Sequence, residues 1–231
     1  MGTANGLQRF DGRKLIMFRP PADPGEYLPT TSIYQIFEDK HNNFWVRSEM
    51  EVGIFDPVTY RYKKAAIKTR TEIPSRSQLR LWQNSKGDVF LIITNREVLS
   101  YDSAAKEFRE DDTKIKVPPG YGVSTLLEDP QTGNYWIGSD SGLALYDVHA
   151  QEVYYRRHNP RGIPILSMPA FQDPVTVSFI DQQNRFWVAT WNVFAEGEKF
   201  FCYDLNANQL LPDTLGLKPA ERSYKELHSF F

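Results

Sequence analysis

Residues 123–147 contain Val123-Ser-Thr-Leu-Leu-Glu-Asp129, then Asn134-Tyr-Trp136-Ile-Gly138, then Gly142-Leu143 and Tyr146-Asp147. An apolar run meets an acidic turn, and a strand centred on tryptophan follows. A glycine turn then leads into a further strand that ends on an aromatic–aspartate pair. The same order occurs three more times. Ile33-Tyr-Gln-Ile-Phe-Glu-Asp39 precedes Asn43-Phe-Trp45-Val-Arg47, Leu79-Arg-Leu-Trp-Gln-Asn84 precedes Asp88-Val-Phe90-Leu-Ile92, and Val177-Ser-Phe-Ile-Asp181 precedes Arg185-Phe-Trp187-Val-Ala189. The anchors Trp45, Phe90, Trp136 and Trp187 stand 45, 46 and 51 residues apart. Further aromatic–aspartate pairs fall at Phe10-Asp11, Phe55-Asp56, Tyr101-Asp102 and Tyr203-Asp204. Four short strands in each period of about 45 residues predict an all-β fold of β-propeller blades, each of four antiparallel strands.

Local chemistry agrees with four strands per period. The turn after the first apolar run, Lys40-His-Asn-Asn43, is built of side chains that can bond their own backbone. The aspartate of each aromatic–aspartate pair can cap the turn that follows it. Proline-bearing connectors at 64–78 and 157–174 read as loops, because proline is barred from central strands. The expected organisation is a single segment over 1–231, with a partial blade at 5–18, four complete blades at about 33–63, 79–109, 123–156 and 175–211, and the start of another at 224–231. The terminal pieces lack strands that a closed ring needs, so the chain reads as part of a longer propeller.

Composition narrows the function. Lysine and arginine total 27 and aspartate and glutamate 29, for a net charge of -2, which argues against a nucleic-acid surface. Aromatic content of 14% and hydrophobic content of 41% suit a packed domain rather than disorder. A lone Cys202 between Phe201 and Tyr203 reads as a small buried hydrophobe. Neither a run of about 18 apolar residues nor a signal peptide is visible, which bears only on the residues in hand. Asp39-Lys-His-Asn-Asn43 lacks the glycine and terminal glutamate of a calcium loop. Gly138-Ser-Asp-Ser-Gly142 carries Asp140 where a nucleophile would stand, so it reads as a hairpin turn. Gly120-Tyr-Gly122 precedes a strand, whereas a dinucleotide fingerprint opens a helix. The aspartates recur once per period and should lie apart, and His41, His149, His158 and His228 read as solvated. No catalytic residue, metal or cofactor is expected.

The third period, together with Asn5-Gly-Leu-Gln-Arg-Phe-Asp11, resembles the two-component regulator propeller repeat of the sensor domains of bacterial hybrid two-component histidine kinases. Departures are Gln83-Asn84 for Glu-Asp, Phe90 for tryptophan, and an insertion at 191–199 in the fourth period. The resemblance implies a periplasmic sensor segment of an inner-membrane protein. It implies a small-molecule or oligosaccharide ligand, glycan-derived, and a signal passed to a histidine kinase outside this chain. The partners implied are the remaining blades and a signalling module of the same full-length chain; a homodimer is allowed. Nucleic acid is not among them, and a membrane would be met only through segments outside this chain. Two other classes stay open: a glycan-active propeller lyase or hydrolase, with convergent acid and base groups, and a protein-interaction scaffold, with a broad apolar patch.

Function in repeat proteins resides where the repeat is broken. The repeated Trp45, Trp136 and Trp187 read as packing residues, whereas Trp82 and Trp191 have no counterparts in the other periods. The hairpins between second and third strands carry Arg47 and Glu49, Asn95 and Arg96, Asp140, and Trp191 and Asn192. A flat apolar ring suits a sugar face and planar polar groups suit its hydroxyls, so these seven are the ligand-binding candidates. A solvated loop is the alternative for each.

Overall fold

The computed structural model describes residues 1–4, 6–18, 28–29, 31–49, 51–69, 72–74, 77–191 and 198–212. They fall into two compact units. The first comprises Met1–Ile93 and Val98–Glu110, the second Thr94–Glu97 and the described residues from Asp111 onward.

In the first unit, β1 (Gly2–Thr3), β2 (Gly6–Phe10) and β3 (Leu15–Met17) form a three-stranded sheet. The next sheet has the order β4 (Gln35–Glu38), β5 (Phe44–Arg47), β6 (Val52–Phe55) and β7 (Tyr62–Lys64). A third is built from β8 (Ala66–Ile67), β9 (Leu79–Gln83), β10 (Val89–Ile93), β11 (Glu97–Asp102) and β12 (Glu107–Arg109), in the order β8-β12-β11-β10-β9. Aliphatic and aromatic positions fill the core, where Trp45 meets Tyr101 edge-on at 4.7 Å and packs with Leu79, Leu91, Leu99 and Phe108.

The second unit holds a sheet of β13 (Val123–Glu128), β14 (Tyr135–Ser139), β15 (Gly142–Asp147) and β16 (Glu152–Tyr155). A second sheet consists of β17 (Val175–Ile180), β18 (Arg185–Trp191), β19 (Glu198–Asp204) and β20 (Gln209–Leu210). Trp136, Tyr154, Phe171, Phe186 and Tyr203 lie in the core of this unit.

The recurring aspartates set the turns. Asp11, Asp56, Asp102, Asp147 and Asp204 each accept hydrogen bonds from backbone N–H groups two and three residues on. Asp39 and Asp181 close the turn after the first strand of their sheets and also accept the indole N–H of Trp45 and Trp187, at 2.7 and 2.9 Å. Trp136 departs from this pattern: its indole N–H is buried without a partner. The reason is spacing. Asp39–Trp45 and Asp181–Trp187 span six residues. The loop of the third period is one residue longer, and Gly133 supplies its positive φ of 70°.

The expected β-propeller of uniform four-stranded antiparallel blades is corrected by these sheets. The described strands make separate sheets of three, four, five, four and four strands, and none closes or curls into a barrel. One sheet is mixed, because Ala66 and Ile67 pair in parallel with Glu107 and Phe108. The connector at 64–78, expected as loop, thus contributes a strand. The connector at 157–174 contains a helical turn, α1 (Pro164–Ser167), and a 3-10 turn at Pro169–Phe171. Proline is disfavoured in strands but pre-set for the first position of a helix, and both turns begin with one. Strands β18 and β19 remain paired out to Trp191 and Glu198, so the insertion begins as a lengthened hairpin. The expected strand at 224–231 lies outside the described residues. Among the described residues, no helix is long and apolar enough to cross a membrane.

Candidate functional site

The structure brings three of the candidates together at one end of the second unit. Residues 94–97, which belong to the second unit, are fastened to the start of β13: Asn95 N–H donates to the Val123 carbonyl at 2.7 Å, and Val123 N–H to the Arg96 carbonyl at 3.2 Å. Asn95 takes a φ of 59°, the left-handed conformation that asparagine tolerates at a tight turn. The β14–β15 hairpin closes on the other side. Asp140 N–H donates to the Gly122 carbonyl at 2.9 Å, and the Asp140 carboxylate accepts from Gly122 N–H at 2.9 Å and from the Ser141 hydroxyl at 3.0 Å.

Gly122 is the hinge of this arrangement. A Cβ there would sit 2.4 Å from the Asn95 carbonyl oxygen and 2.7 Å from an Asp140 carboxylate oxygen. Only glycine lets the two hairpin tips approach the chain this closely.

Beside it, the half-buried rings of Tyr121 and Tyr155 meet edge-to-face at 5.3 Å. Burial pushes the Tyr121 phenol above its ordinary value; Arg157 and Arg156 pull it down, while Tyr155 and Asp140 add to the upward shift. Arg156 and Arg157 are exposed, as are Asn95 and Asp140. The result is an aromatic ledge rimmed by planar donors and a carboxylate.

Trp191 lies at the same end of this unit. Its N–H donates to the Pro174 carbonyl at 2.8 Å. The preceding Thr190 pairs with Val175, whose carbonyl accepts the Ser124 hydroxyl from the neighbouring sheet. The Trp191 ring is half-buried, and Asn192 lies outside the described residues.

Arg47 and Glu49 belong to the first unit. Glu49 is exposed. Arg47 ends β5, and its guanidinium carbon lies 4.9 Å from the centroid of the Tyr34 ring. Trp82, in the same unit, packs against Phe90 at 5.4 Å.

Tyr121, Gly122, Tyr155, Arg156 and Arg157 were not among the sequence candidates. The signal for Tyr121 and Gly122 was present in Gly120-Tyr-Gly122, a glycine-flanked aromatic just before a strand. Among the described residues, no group of three or more His, Cys, Asp or Glu is placed to hold a metal ion.

No protein-family profile matches the chain, and no curated protein does. Solved structures share its all-β fold. The extracellular domain of a B. thetaiotaomicron protein designated a hybrid two-component system superposes with a TM-score of 0.61 at 13% identity, over 90% of this chain and 27% of that one. The extracellular domain of another B. thetaiotaomicron protein, designated a one-component system, gives 0.55 at 20% identity, over 82% of this chain and 24% of that one. PorZ, a surface component of the type-IX secretion system of Porphyromonas gingivalis, gives 0.55 at 18% identity, over 90% of this chain and 31% of that one. The chain thus spans about a quarter of the length of the first two structures. At these identities the likeness is one of fold.

Proposed function

We propose that the chain is an extracytoplasmic ligand-sensing segment that binds a glycan-derived oligosaccharide and passes the signal to an output module, a histidine kinase, outside this chain. In this reading it works in the periplasm. The observation that carries the proposal is the convergence of repeat-breaking residues on one end of the second unit: Asn95, Arg96 and Asp140 beside the Tyr121–Tyr155 ledge. Aromatic rings take the apolar face of a pyranose, and amide, guanidinium and carboxylate groups take its hydroxyls in defined directions. The fold likeness to extracellular domains of bacterial signalling proteins supports the location and the signalling role.

Trp191 is the proposed third ring of the site, beside Tyr121 and Tyr155. The test is titration calorimetry of the chain against a panel of oligosaccharides, repeated with Tyr121→Ala, Arg96→Ala and Trp191→Ala. Loss of an anchoring aromatic or arginine at a binding surface costs about 2 kcal/mol, so each variant should weaken binding about thirtyfold. Binding that is unchanged in all three variants refutes the placement.

A further inference from the structure

We infer that Arg47 and Arg80 in the first unit form a receptor for one anionic group, a carboxylate or a sulfate, set against the Tyr34 ring. The inference is independent of the oligosaccharide reading above and uses no residue of the second unit.

It starts from hydrogen-bond accounting at Arg47. A guanidinium presents five N–H donors in a rigid fork. The Nε of Arg47 is fully buried and has no hydrogen-bond partner. One terminal nitrogen reaches the Ser48 carbonyl at 3.3 Å, longer than an ordinary N–H···O bond. Buried arginines are ordinarily paired with a carboxylate. Among the described residues no carboxylate makes an ion pair with Arg47, and the nearby charge is the like-signed Arg80.

The surroundings hold this arrangement in place. Gln35 pairs across the sheet with Arg47. Its side-chain amide donates to the Leu81 carbonyl at 2.7 Å and accepts from Leu81 N–H at 2.8 Å. That two-point clamp ties β4 to β9 and fixes the backbone next to Arg80. Tyr34 N–H donates to the Arg47 carbonyl at 3.0 Å, which sets the ring beneath the guanidinium. Tyr34 is 59% exposed and Arg80 is exposed, while Arg47 is half-buried with its Nε shielded from solvent, so a solute approaches from the side of Tyr34 and Arg80.

Burial, and to a lesser extent Arg80, lowers the pKa of Arg47, and Tyr34 opposes them. The group nevertheless keeps its charge at neutral pH. Arg80 acts on Arg47 as a like charge, and an anion that reaches the terminal nitrogens of the fork relieves that repulsion. A planar or tetrahedral oxyanion offers the parallel acceptors that the fork requires. A hexuronic acid supplies the first and a sulfate ester the second.

The probes are sodium glucuronate and sodium sulfate, titrated into the full chain at low ionic strength, with methyl glucoside as the uncharged control. One or both anions should bind saturably at one site, and methyl glucoside should not compete. Arg47→Gln should weaken the anion at least tenfold and Arg80→Gln severalfold. Arg47→Lys, which keeps the charge and loses the fork, should also weaken it. Arg80 is exposed, so Arg80→Gln tests the site even where Arg47→Gln fails to fold. A preference for glucuronate assigns the site to a carboxylate, and a preference for sulfate to a sulfate ester; both support it. Arg96→Ala and Tyr121→Ala should leave anion affinity unchanged, which separates this site from the one in the second unit. Absence of saturable binding by either anion overturns the inference, as does affinity unaltered by both Arg47→Gln and Arg80→Gln.

Discussion

Replacing Asp39 by alanine removes the hub of the first turn in the β4–β7 sheet. The carboxylate accepts from the backbone N–H of His41 at 2.8 Å and of Asn43 at 2.9 Å, from the Asn43 amide at 2.9 and 3.2 Å, and from the Trp45 indole at 2.7 Å. These bonds differ in what replaces them. The turn amides and the Asn43 side chain are close enough to the surface to turn to water, so their loss resembles loss of a helix cap, about 1 kcal/mol. Trp45 is 0% exposed, so its indole N–H would be left buried and unsatisfied. That penalty is about 1–3 kcal/mol. Asp39→Ala should therefore destabilise the first unit by about 3 kcal/mol. The protein contains its own control. Asp129 accepts from the Gln131 and Thr132 backbone, while the Trp136 indole already lacks a partner, so Asp129→Ala should cost only about 1 kcal/mol. Urea titrations followed by tryptophan fluorescence and circular dichroism would measure both, fitted as two transitions where the probes diverge. A double-mutant cycle of Asp39→Ala with Trp45→Phe should give a coupling of about 1.5 kcal/mol or more. Equal losses in Asp39→Ala and Asp129→Ala, with no coupling to Trp45, would refute the reasoning.

The same carboxylates set an acid limit. Burial alone would raise the pKa of Asp39 and Asp181, but bonds from the Asn43 side chain and backbone and the Trp45 indole, and from the Trp187 indole and Arg185, hold both below the ordinary value. A depressed folded pKa means that the stabilisation is complete above the unfolded value of about 3.9 and is lost as pH falls through the folded one. The urea midpoint should therefore drop between about pH 4 and pH 2, and the drop should be smaller in Asp39→Asn; an identical drop in both proteins would contradict this. Gly122→Ala should push apart the Asn95 and Asp140 hairpin tips, cost about 1–3 kcal/mol and weaken oligosaccharide binding, read by calorimetry and urea unfolding. Gly138→Ala places a methyl 2.4 Å from the Thr125 side chain and 2.6 Å from that of Val175, and should cost a similar amount without touching the hairpin tips.

The strands were legible because their signal is local. Runs such as Val123–Glu128 and Val89–Ile93 carry β-branched and apolar residues between turn-forming clusters. The aspartate-capped turns were equally legible, since an aspartate bonds backbone only two or three residues away. The absent Asp129–Trp136 bond was latent in the spacing, six residues in two periods and seven in the third, but it becomes visible only once register fixes which way each indole points. Two features had no local signal. The parallel pairing of Ala66-Ile67 with Glu107-Phe108 joins segments some forty residues apart, and a two-residue strand has no periodicity of its own. Sheet closure depends on how separate sheets meet, which a repeat period does not encode. At the candidate site, Asn95, Arg96 and Asp140 stood out because they break the repeat at hairpin tips. Tyr121 and Tyr155 lie at strand margins, and only tertiary folding brings their rings to 5.3 Å.

Hydrogen exchange of the backbone amides, measured with and without an oligosaccharide panel, tests the sensing account most directly. A bound ligand should slow exchange at residues 94–97, 120–123 and 139–142, the three segments that meet at Gly122. Protection confined to other segments, or none from any oligosaccharide, would contradict it.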